Sequence, residues 1–231
     1  MPLLRSAFIA LSTNKSMRRF SESSSIGRKL SSRFVAGLEV EDALRAAEML
    51  NNHGMTATLD VLGESVTNEA EAHRSAETYH RLLDAIAAKK LNANISVKLT
   101  QMGLELSPDL AYTIAAGLTE HCRATGNFLR IDMEGSDLTQ VTLDLVRHLH
   151  AREEYKGHIG IVIQAYLFRS EADIHQLIDD GIRVRLCKGA YQEPPSVAFA
   201  KKQTPTPTTS ASPASCSPAP STTVSPPTTK P

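Results

Sequence analysis

Short apolar runs alternate with longer stretches of helical periodicity along most of this chain. From Val40 to Leu50 apolar residues recur three and four positions apart, which predicts a helix that begins near Glu39 and ends near Gly54. The same periodicity, with acidic first turns and N-cap residues at the expected places, predicts four further helices. These helices cover residues 67–90, 108–125, 137–152 and 171–180.

Five apolar runs separate the helices and predict strands at residues 57–62, 95–99, 129–133, 160–166 and 183–188. Alternation of strands and helices is typical of parallel βαβ units, so the pattern predicts an α/β fold. A doubly wound sheet and a (β/α)8 barrel both fit this order. No GxGxxG follows the first strand and no GxxxxGK[ST] occurs, which weakens the nucleotide-binding folds that use those glycines.

Polar side chains stand at or near the carboxyl ends of the strands. Barrel active sites lie at this edge, so the pattern favours the barrel. We expect these side chains to converge into one cluster of net positive charge, suited to an anion, a carboxylate substrate or an electron-rich cofactor ring. The alternative is a structural ion-pair network around the single carboxylate. The candidates are Lys98, Asp132, Gln164, Arg185 and Lys188.

The segment from Arg183 to Tyr191 is the centre of this pattern. Its apolar residues predict a short buried strand into which Arg185 and Lys188 are set. Burying an unpaired cation is costly, so we expect these two cations to face a partner. Gly189 and Ala190 follow, and they predict a close approach of the backbone to another group.

Composition narrows the function classes. The 231 residues carry 25 Lys+Arg and 25 Asp+Glu, a zero net charge that gives no support to nucleic-acid binding. No apolar run reaches the roughly 18 residues of a transmembrane helix. Cysteine is sparse and scattered, at Cys122, Cys187 and Cys216. We expect no metal site, a reducing compartment, and small core roles for Cys122 and Cys187.

The two ends differ from the middle. Residues 1–32 are rich in Arg and Ser and read either as a transit peptide or as short amphipathic helices that pack on the domain. Residues 203–231 consist mostly of Thr, Pro and Ser, which predicts a disordered tail. The predicted organisation is N-terminal helices at 1–38, a domain at 39–202 and a tail at 203–231.

Long ordered motifs give the chain a family resemblance. It resembles the proline dehydrogenases, in particular the shorter monofunctional bacterial type, over about residues 4–202. The resemblance implies an FAD-dependent enzyme with a distorted (β/α)8 barrel that oxidises L-proline to Δ1-pyrroline-5-carboxylate. It also implies that the N-terminal stretch forms the family's leading helices. The matching motifs are RFVAG at 33–37, TLDVLGE at 58–64, ISVKLTQMGL at 95–104, RIDME at 130–134, QAY at 164–166 and RLCKGAYQEP at 185–194.

The resemblance implies a role for each matching residue. Lys98 and Tyr191 resemble substrate-binding positions, the lysine meeting the proline carboxylate. Asp132 resembles the aspartate that shapes the active site, and Arg185 the arginine at the reactive N5 edge of the flavin. A membrane quinone is the implied electron acceptor, so we expect a cytoplasmic protein that reaches the inner face of the membrane. The implied cofactor-binding residues are Met133, Gln164, Arg185, Lys188, Gly189 and Ala190.

The chain also departs from the family. It supplies about five βα units of an eight-stranded barrel, and no residues match the family's later Thr-His pair, Tyr and paired Arg. The sequence therefore also supports a non-catalytic truncated remnant, and the abrupt change after Lys202 is consistent with a frameshift. A Schiff-base aldolase using Lys98 or Lys188 is a third hypothesis.

Overall fold

A computed structural model describes residues 35–37, 39–63 and 65–199. The predicted disordered tail at 203–231 and nearly all of the predicted N-terminal helices at 1–38 lie outside these residues. Both stay predictions, as do the domain limits. The described residues fall into two compact units that meet in the chain between Leu129 and Arg130.

The first unit alternates helices and strands, as the periodicity predicts. Its strands β1 and β2 pair in parallel, with Ala57 opposite Ala93 and Asp60 opposite Ser96. The amide of Ile95 in β2 donates to the carbonyl of Phe128, just before β3. Its elements are α1 (Val40–Asn52), β1 (Ala57–Asp60), α2 (Glu69–Lys89), β2 (Ala93–Val97), α3 (Pro108–Thr125) and the first residue of β3 (Leu129–Ile131).

Local sequence explains where the helices of the first unit begin. Asn68 accepts a hydrogen bond from the amide of Glu71, and Ser107 accepts one from the amide of Leu110. These side chains satisfy amides that the first turn of a helix leaves without partners. Pro108 follows Ser107 at the first helical position, where a missing N–H costs nothing. The predicted start and end of α3 are therefore confirmed.

The second unit contains the rest of β3, two further strands and two α-helices. Strand β4 is buried along its whole length, and it pairs in parallel with β5, with Gln164 opposite Cys187. The apolar faces of α4 and α5 are buried through residues such as Leu143, Val146 and Leu177. Its elements after β3 are a 3-10 turn (Ser136–Leu138), α4 (Thr139–His150), a second 3-10 turn (Glu153–Tyr155), β4 (Ile159–Gln164), α5 (Ser170–Asp179) and β5 (Arg183–Cys187).

The structure corrects the prediction that β5 is buried. Arg183 and Cys187 are exposed, and Val184 and Leu186 are only half-buried. An apolar run shows which side chains favour burial, but the cover itself comes from neighbouring elements, here β4 and α5. The predicted core role of Cys187 is wrong for the same reason. Cys122 is fully buried as predicted, and burial raises the pKa of its thiol to about 12.

The predicted strand starts agree with the structure to within about two residues. Parallel pairing and strand–helix alternation confirm the predicted α/β class. In the part of the chain that the structure describes, no helix is both long enough and apolar enough to cross a membrane.

Candidate functional site

In the first unit, a lysine and an aspartate meet where two neighbouring strands end. Asp60 is the last residue of β1, and Lys98 directly follows β2. The ammonium of Lys98 lies 3.6 Å from a carboxylate oxygen of Asp60, and the two side chains are 18% and 32% exposed. Parallel pairing of the two strands brings both groups to the same edge. Lys98 is thus a partly shielded cation beside a carboxylate.

A buried tyrosine fixes this aspartate. Tyr79 on α2 is fully buried, and its hydroxyl oxygen lies 3.0 Å from Asp60 Oδ1 and 3.3 Å from Gln101 Oε1. The same oxygen accepts a hydrogen bond from the amide of Val61 at 3.0 Å. Its single proton serves one of the two acceptors at a time. Gln101 also donates to the carbonyl of Val61, so the network joins α2 to the end of β1.

In the second unit, the predicted partner of Arg185 is confirmed. Its guanidinium donates to Asp132 Oδ1 at 2.7 Å, with side chains 36% and 19% exposed. This is a short, charge-assisted hydrogen bond between β5 and the residue after β3. Burial, together with the charges of Arg185 and Arg183, lowers the pKa of Arg130. Arg130 and Arg185 thus both interact with the charge of Asp132, while the wider predicted cluster stays a prediction.

The predicted close approach at Gly189 is to a tyrosine ring. Gly189 has φ +102°, and a Cβ placed there would come within 1.9 Å of the Tyr166 ring. Only glycine fits both the backbone conformation and the contact. The Tyr166 hydroxyl donates to the carbonyl of Tyr191 at 3.2 Å, and burial, then the charge of Glu193, raises its pKa to about 12. Tyr166 therefore stays protonated and able to donate.

Gln164 ends β4 and is 3% exposed. Its amide nitrogen donates to the carbonyl of Glu134 at 2.7 Å, and its amide oxygen accepts from the backbone N–H of Ala190 at 3.2 Å. Met133 is buried as well. Gln164 thus holds the backbone of the segment after β5, whereas Lys188 and Ala190 themselves are exposed.

Glu193 makes a further link inside the second unit. Its carboxylate accepts a hydrogen bond from the backbone N–H of Ser136 at 2.8 Å and another from the Ser136 hydroxyl. Ser136 opens the 3-10 turn that leads into α4. The segment after β5 is therefore tied to the loop after β3, which carries Asp132, Met133 and Glu134.

The structure thus brings most of the predicted site residues together within one unit. Lys98 lies in the first unit, so its convergence with them stays a prediction. The described residues contain no group of three or more His, Cys, Asp or Glu placed to hold a metal ion. The sequence reasoning missed five residues of these networks: Asp60, Tyr79, Gln101, Tyr166 and Glu193.

Some of the missed residues carried a signal. Asp60 ends a strand with a polar side chain, so the rule that selected Lys98 also selects it. Gln101, Tyr166 and Glu193 lie inside the motifs that carry the family resemblance. Tyr79 carries no such signal, because it occupies a buried position in α2 that reads as core.

Comparison with protein families and curated proteins gives one consistent result. A family model described as proline dehydrogenase matches residues 43–215. The chain is 38% identical over 202 residues to Proline dehydrogenase 1 of Bacillus subtilis, covering 87% of this chain and 65% of the relative. It is 35% identical over 176 residues to Proline dehydrogenase of Deinococcus radiodurans, covering 75% of this chain and 56% of the relative. The chain therefore spans about two thirds or less of the length of these relatives.

Solved structures support the fold. The chain resembles the crystal structure of proline utilization A (PutA) from Bdellovibrio bacteriovorus inactivated by N-propargylglycine, with a TM-score of 0.64 and 27% sequence identity. The match covers 71% of this chain and 20% of that chain. Together with the strand–helix repeats, this likeness confirms the predicted fold class, an incomplete (β/α)8-type barrel of about five βα units, over the doubly wound alternative.

Proposed function

The chain belongs to the proline dehydrogenase family, and we propose that it carries the flavin-binding and substrate-binding strand ends of an enzyme that oxidises L-proline. The product is Δ1-pyrroline-5-carboxylate, the cofactor is FAD and the final electron acceptor is a membrane quinone. The observation that carries this proposal is the Asp132–Arg185 pair beside the exposed segment that begins at Lys188.

The residues of the second unit fit a flavin. A reduced flavin concentrates negative charge on its pyrimidine side, where cations and amide donors stabilise it. Arg185 lies in the middle of β5, where Asp132 orients its guanidinium, and Lys188 is an exposed cation three residues later. Gly189 lacks a side chain, so the backbone after β5 can bend directly against the Tyr166 ring. Gln164 is buried and holds the backbone of this segment at Ala190, and Met133 is buried as well.

The first unit supplies the group proposed to bind the substrate carboxylate. The ammonium of Lys98 carries donors only and lies 3.6 Å from Asp60, and we propose that it also donates to the substrate carboxylate. Asp60 is in turn fixed by the hydroxyl of Tyr79. Tyr191, half-buried and held through its carbonyl by Tyr166, is the proposed aromatic neighbour of the substrate.

The chemistry is a two-electron oxidation. FAD bound at this segment would supply the two-electron acceptor for the hydride on the proline ring carbon next to nitrogen, and a quinone would in turn take up those electrons. The substrate gives up that hydride and a proton from its nitrogen, which passes to water, and a carbon–nitrogen double bond forms. Asp132 would hold the guanidinium of Arg185 in one orientation, and Lys98 would hold the substrate by its carboxylate. We propose that the protein acts in the cytoplasm. Because the quinone is lipophilic, the protein would contact the inner face of the membrane to reach it.

The first test is the visible absorption spectrum of the purified chain. A stoichiometric flavin signal that proline bleaches, and that a soluble quinone restores, is the expected result. Arg185→Met should lower flavin occupancy. Lys98→Met should raise KM for proline by about 10- to 100-fold, the loss of one charged hydrogen bond. Lys89→Met, an exposed lysine at the end of α2, is the matched control.

A colourless chain that takes up no added FAD would overturn the proposal. It would favour the second candidate, a non-catalytic member of the family. A chain that binds FAD but is not bleached by proline would separate cofactor binding from turnover. Trapping of a lysine adduct by borohydride with substrate would favour the aldolase hypothesis instead.

A further inference from the structure

Hydrogen bonds hold the segment after β5 on both sides of Tyr191. One of them is accepted by the carboxylate of Glu193, which has no role in the proposed function. We propose that Glu193 is a positioning residue that fixes Lys188 and Tyr191 by binding the start of the 3-10 turn at Ser136. The inference rests on the proposed function only for the ligands of Lys188 and Tyr191. The contact between Glu193 and Ser136 does not depend on it.

Ser136 is a suitable anchor for a carboxylate. It opens a 3-10 turn that continues into α4, and backbone amides at such a start have no partner within the helix. No side chain of the neighbouring cap residue serves it, since the residue before it is Gly135. Glu193 accepts both the N–H and the hydroxyl of Ser136, so it caps the turn from 57 residues away in sequence. A negative charge at this end also suits the dipole of the helix.

Other hydrogen bonds hold the segment on both sides of Glu193. The Ala190 amide donates to buried Gln164, and the Tyr191 carbonyl accepts from Tyr166. Farther along, the Val197 carbonyl accepts from Phe168, and the Phe199 amide donates to Tyr166. Tyr191 therefore lies between two fixed points, and Glu193 is the one that links the segment to the loop after β3. Without it, the segment would lose its hydrogen bonds to Ser136.

Loss of the Glu193 carboxylate removes the link to Ser136 and leaves the hydrogen bond from Tyr166 to the Tyr191 carbonyl in place. The expected consequence is a less ordered Tyr191 and a more mobile Lys188, with Asp132 and Arg185 still paired.

The test compares Glu193→Ala, Glu193→Gln and Ser136→Ala in the full chain, with Gln192→Ala as the matched control. Gln192 is the exposed neighbour of Glu193, and its side chain makes no hydrogen bond within the described residues. Hydrogen exchange of the amides at 188–193 should speed up by about tenfold or more in Glu193→Ala and Ser136→Ala, since a charge-assisted hydrogen bond is lost. The double variant should exchange no faster than Glu193→Ala, because both changes break the same contact. Glu193→Gln keeps one acceptor and should fall between.

Steady-state kinetics test whether the contact between Glu193 and Ser136 affects proline binding. Glu193→Ala should raise KM for proline several-fold while kcat changes less than about twofold, as expected when positioning rather than chemistry is lost. Unchanged exchange at 188–193 in Glu193→Ala would overturn the proposal. So would equal effects of Gln192→Ala. Exchange does not depend on flavin, so a chain that binds no FAD would defeat the proposed function while this measurement still decides the contact.

Discussion

Two acid–base pairs, one in each unit, show two ways of holding a charged side chain at a strand end. In the first unit, Asp60 and Lys98 lie at the ends of β1 and β2, and the buried Tyr79 of α2 donates to the aspartate. In the second unit, Asp132 and Arg185 lie beside a chain segment that is held by hydrogen bonds to Tyr166, Gln164 and Ser136, the last through Glu193. The first pair is supported from the packed core, and the second from a loop.

The difference matters because the two kinds of support fail differently. The hydroxyl of Tyr79 belongs to a fully buried side chain that joins α2 to the end of β1, so we expect its removal to cost global stability. A fastened segment can loosen without unfolding the strands behind it. Changes in the first unit should therefore appear mainly in the free energy of unfolding. Changes in the second should appear mainly in local order and in ligand binding, except where they disturb the packed ring of Tyr166.

The largest expected effect is at that exception. Gly189→Ala combines a left-handed backbone with a Cβ inside the Tyr166 ring, so the ring must move. We expect the free energy of unfolding to fall by about 2–4 kcal/mol. Gly157→Ala is the matched control, because Gly157 has φ +84° with nothing within 4 Å of the added Cβ. It should cost about 1–2 kcal/mol. Urea unfolding measures both, and equal costs would mean that the ring is not a fixed support.

Next in size is Tyr79→Phe, which removes the hydroxyl behind Asp60. The amide of Val61 and the oxygens of Asp60 and Gln101 lose a partner, and we expect a loss of about 1–3 kcal/mol in the free energy of unfolding. Tyr155→Phe is the control, since the ring of Tyr155 is buried against Arg152 while no hydrogen bond of its hydroxyl is found among the described residues. A loss no larger than that of the control would remove the distinction between the two units.

A smaller loss is expected for Tyr166→Phe in the second unit. The ring keeps its contact with Gly189, and only the hydrogen bond to the Tyr191 carbonyl disappears. The cost should be about 0.5–1.5 kcal/mol, and less than that of Tyr79→Phe because water can reach this half-buried site. Thermal and urea unfolding of the two phenylalanine variants side by side would test the order. A reversed order would show that the loop, not the helix, is the stronger support.

Much of this architecture is readable from the sequence. Ser107 and Pro108 set the start of α3 because an N-cap oxygen and a missing N–H both suit that position, whatever the helix packs against. The strand-end rule found Lys98, Asp132 and Arg185 because parallel strands expose their carboxyl ends at one edge. These features depend on local chemistry and on the period of the chain.

The rest depends on contacts that periodicity does not carry. Tyr79 sits in the apolar stripe of α2, and only the path of β1 decides that its hydroxyl meets Asp60. Glu193 finds Ser136 across 57 residues, a pairing with no local pattern. Burial of Cys187 was predicted wrongly, because the composition of β5 does not show what covers it. In each case the deciding partner is distant in sequence.

The smallest effect is a difference in thiol reactivity between the units. Cys122 of the first unit is buried, with its pKa raised to about 12, and Cys187 of the second unit is exposed. In a Cys216→Ser background, a thiol reagent at neutral pH should modify Cys187 in the native chain, and Cys122 only after denaturation. Peptide mapping of the labelled chain reads this directly. Equal labelling of both cysteines without denaturant would mean that the first unit opens often enough to expose Cys122.

The registers of the two parallel strand pairs have a consequence for the order of folding events. Ala57 pairs with Ala93 through an intervening helix, and Gly160 pairs with Arg183 across roughly two thirds as many residues. Closing the shorter loop loses less chain entropy, by about half a kcal/mol. We therefore expect the β4–α5–β5 crossover unit to form first. Pulsed hydrogen exchange during refolding should then protect the amides of β4 before those of β1. The strands that carry Gln164 and Arg185 would thus be in place before the pair that holds Lys98 closes.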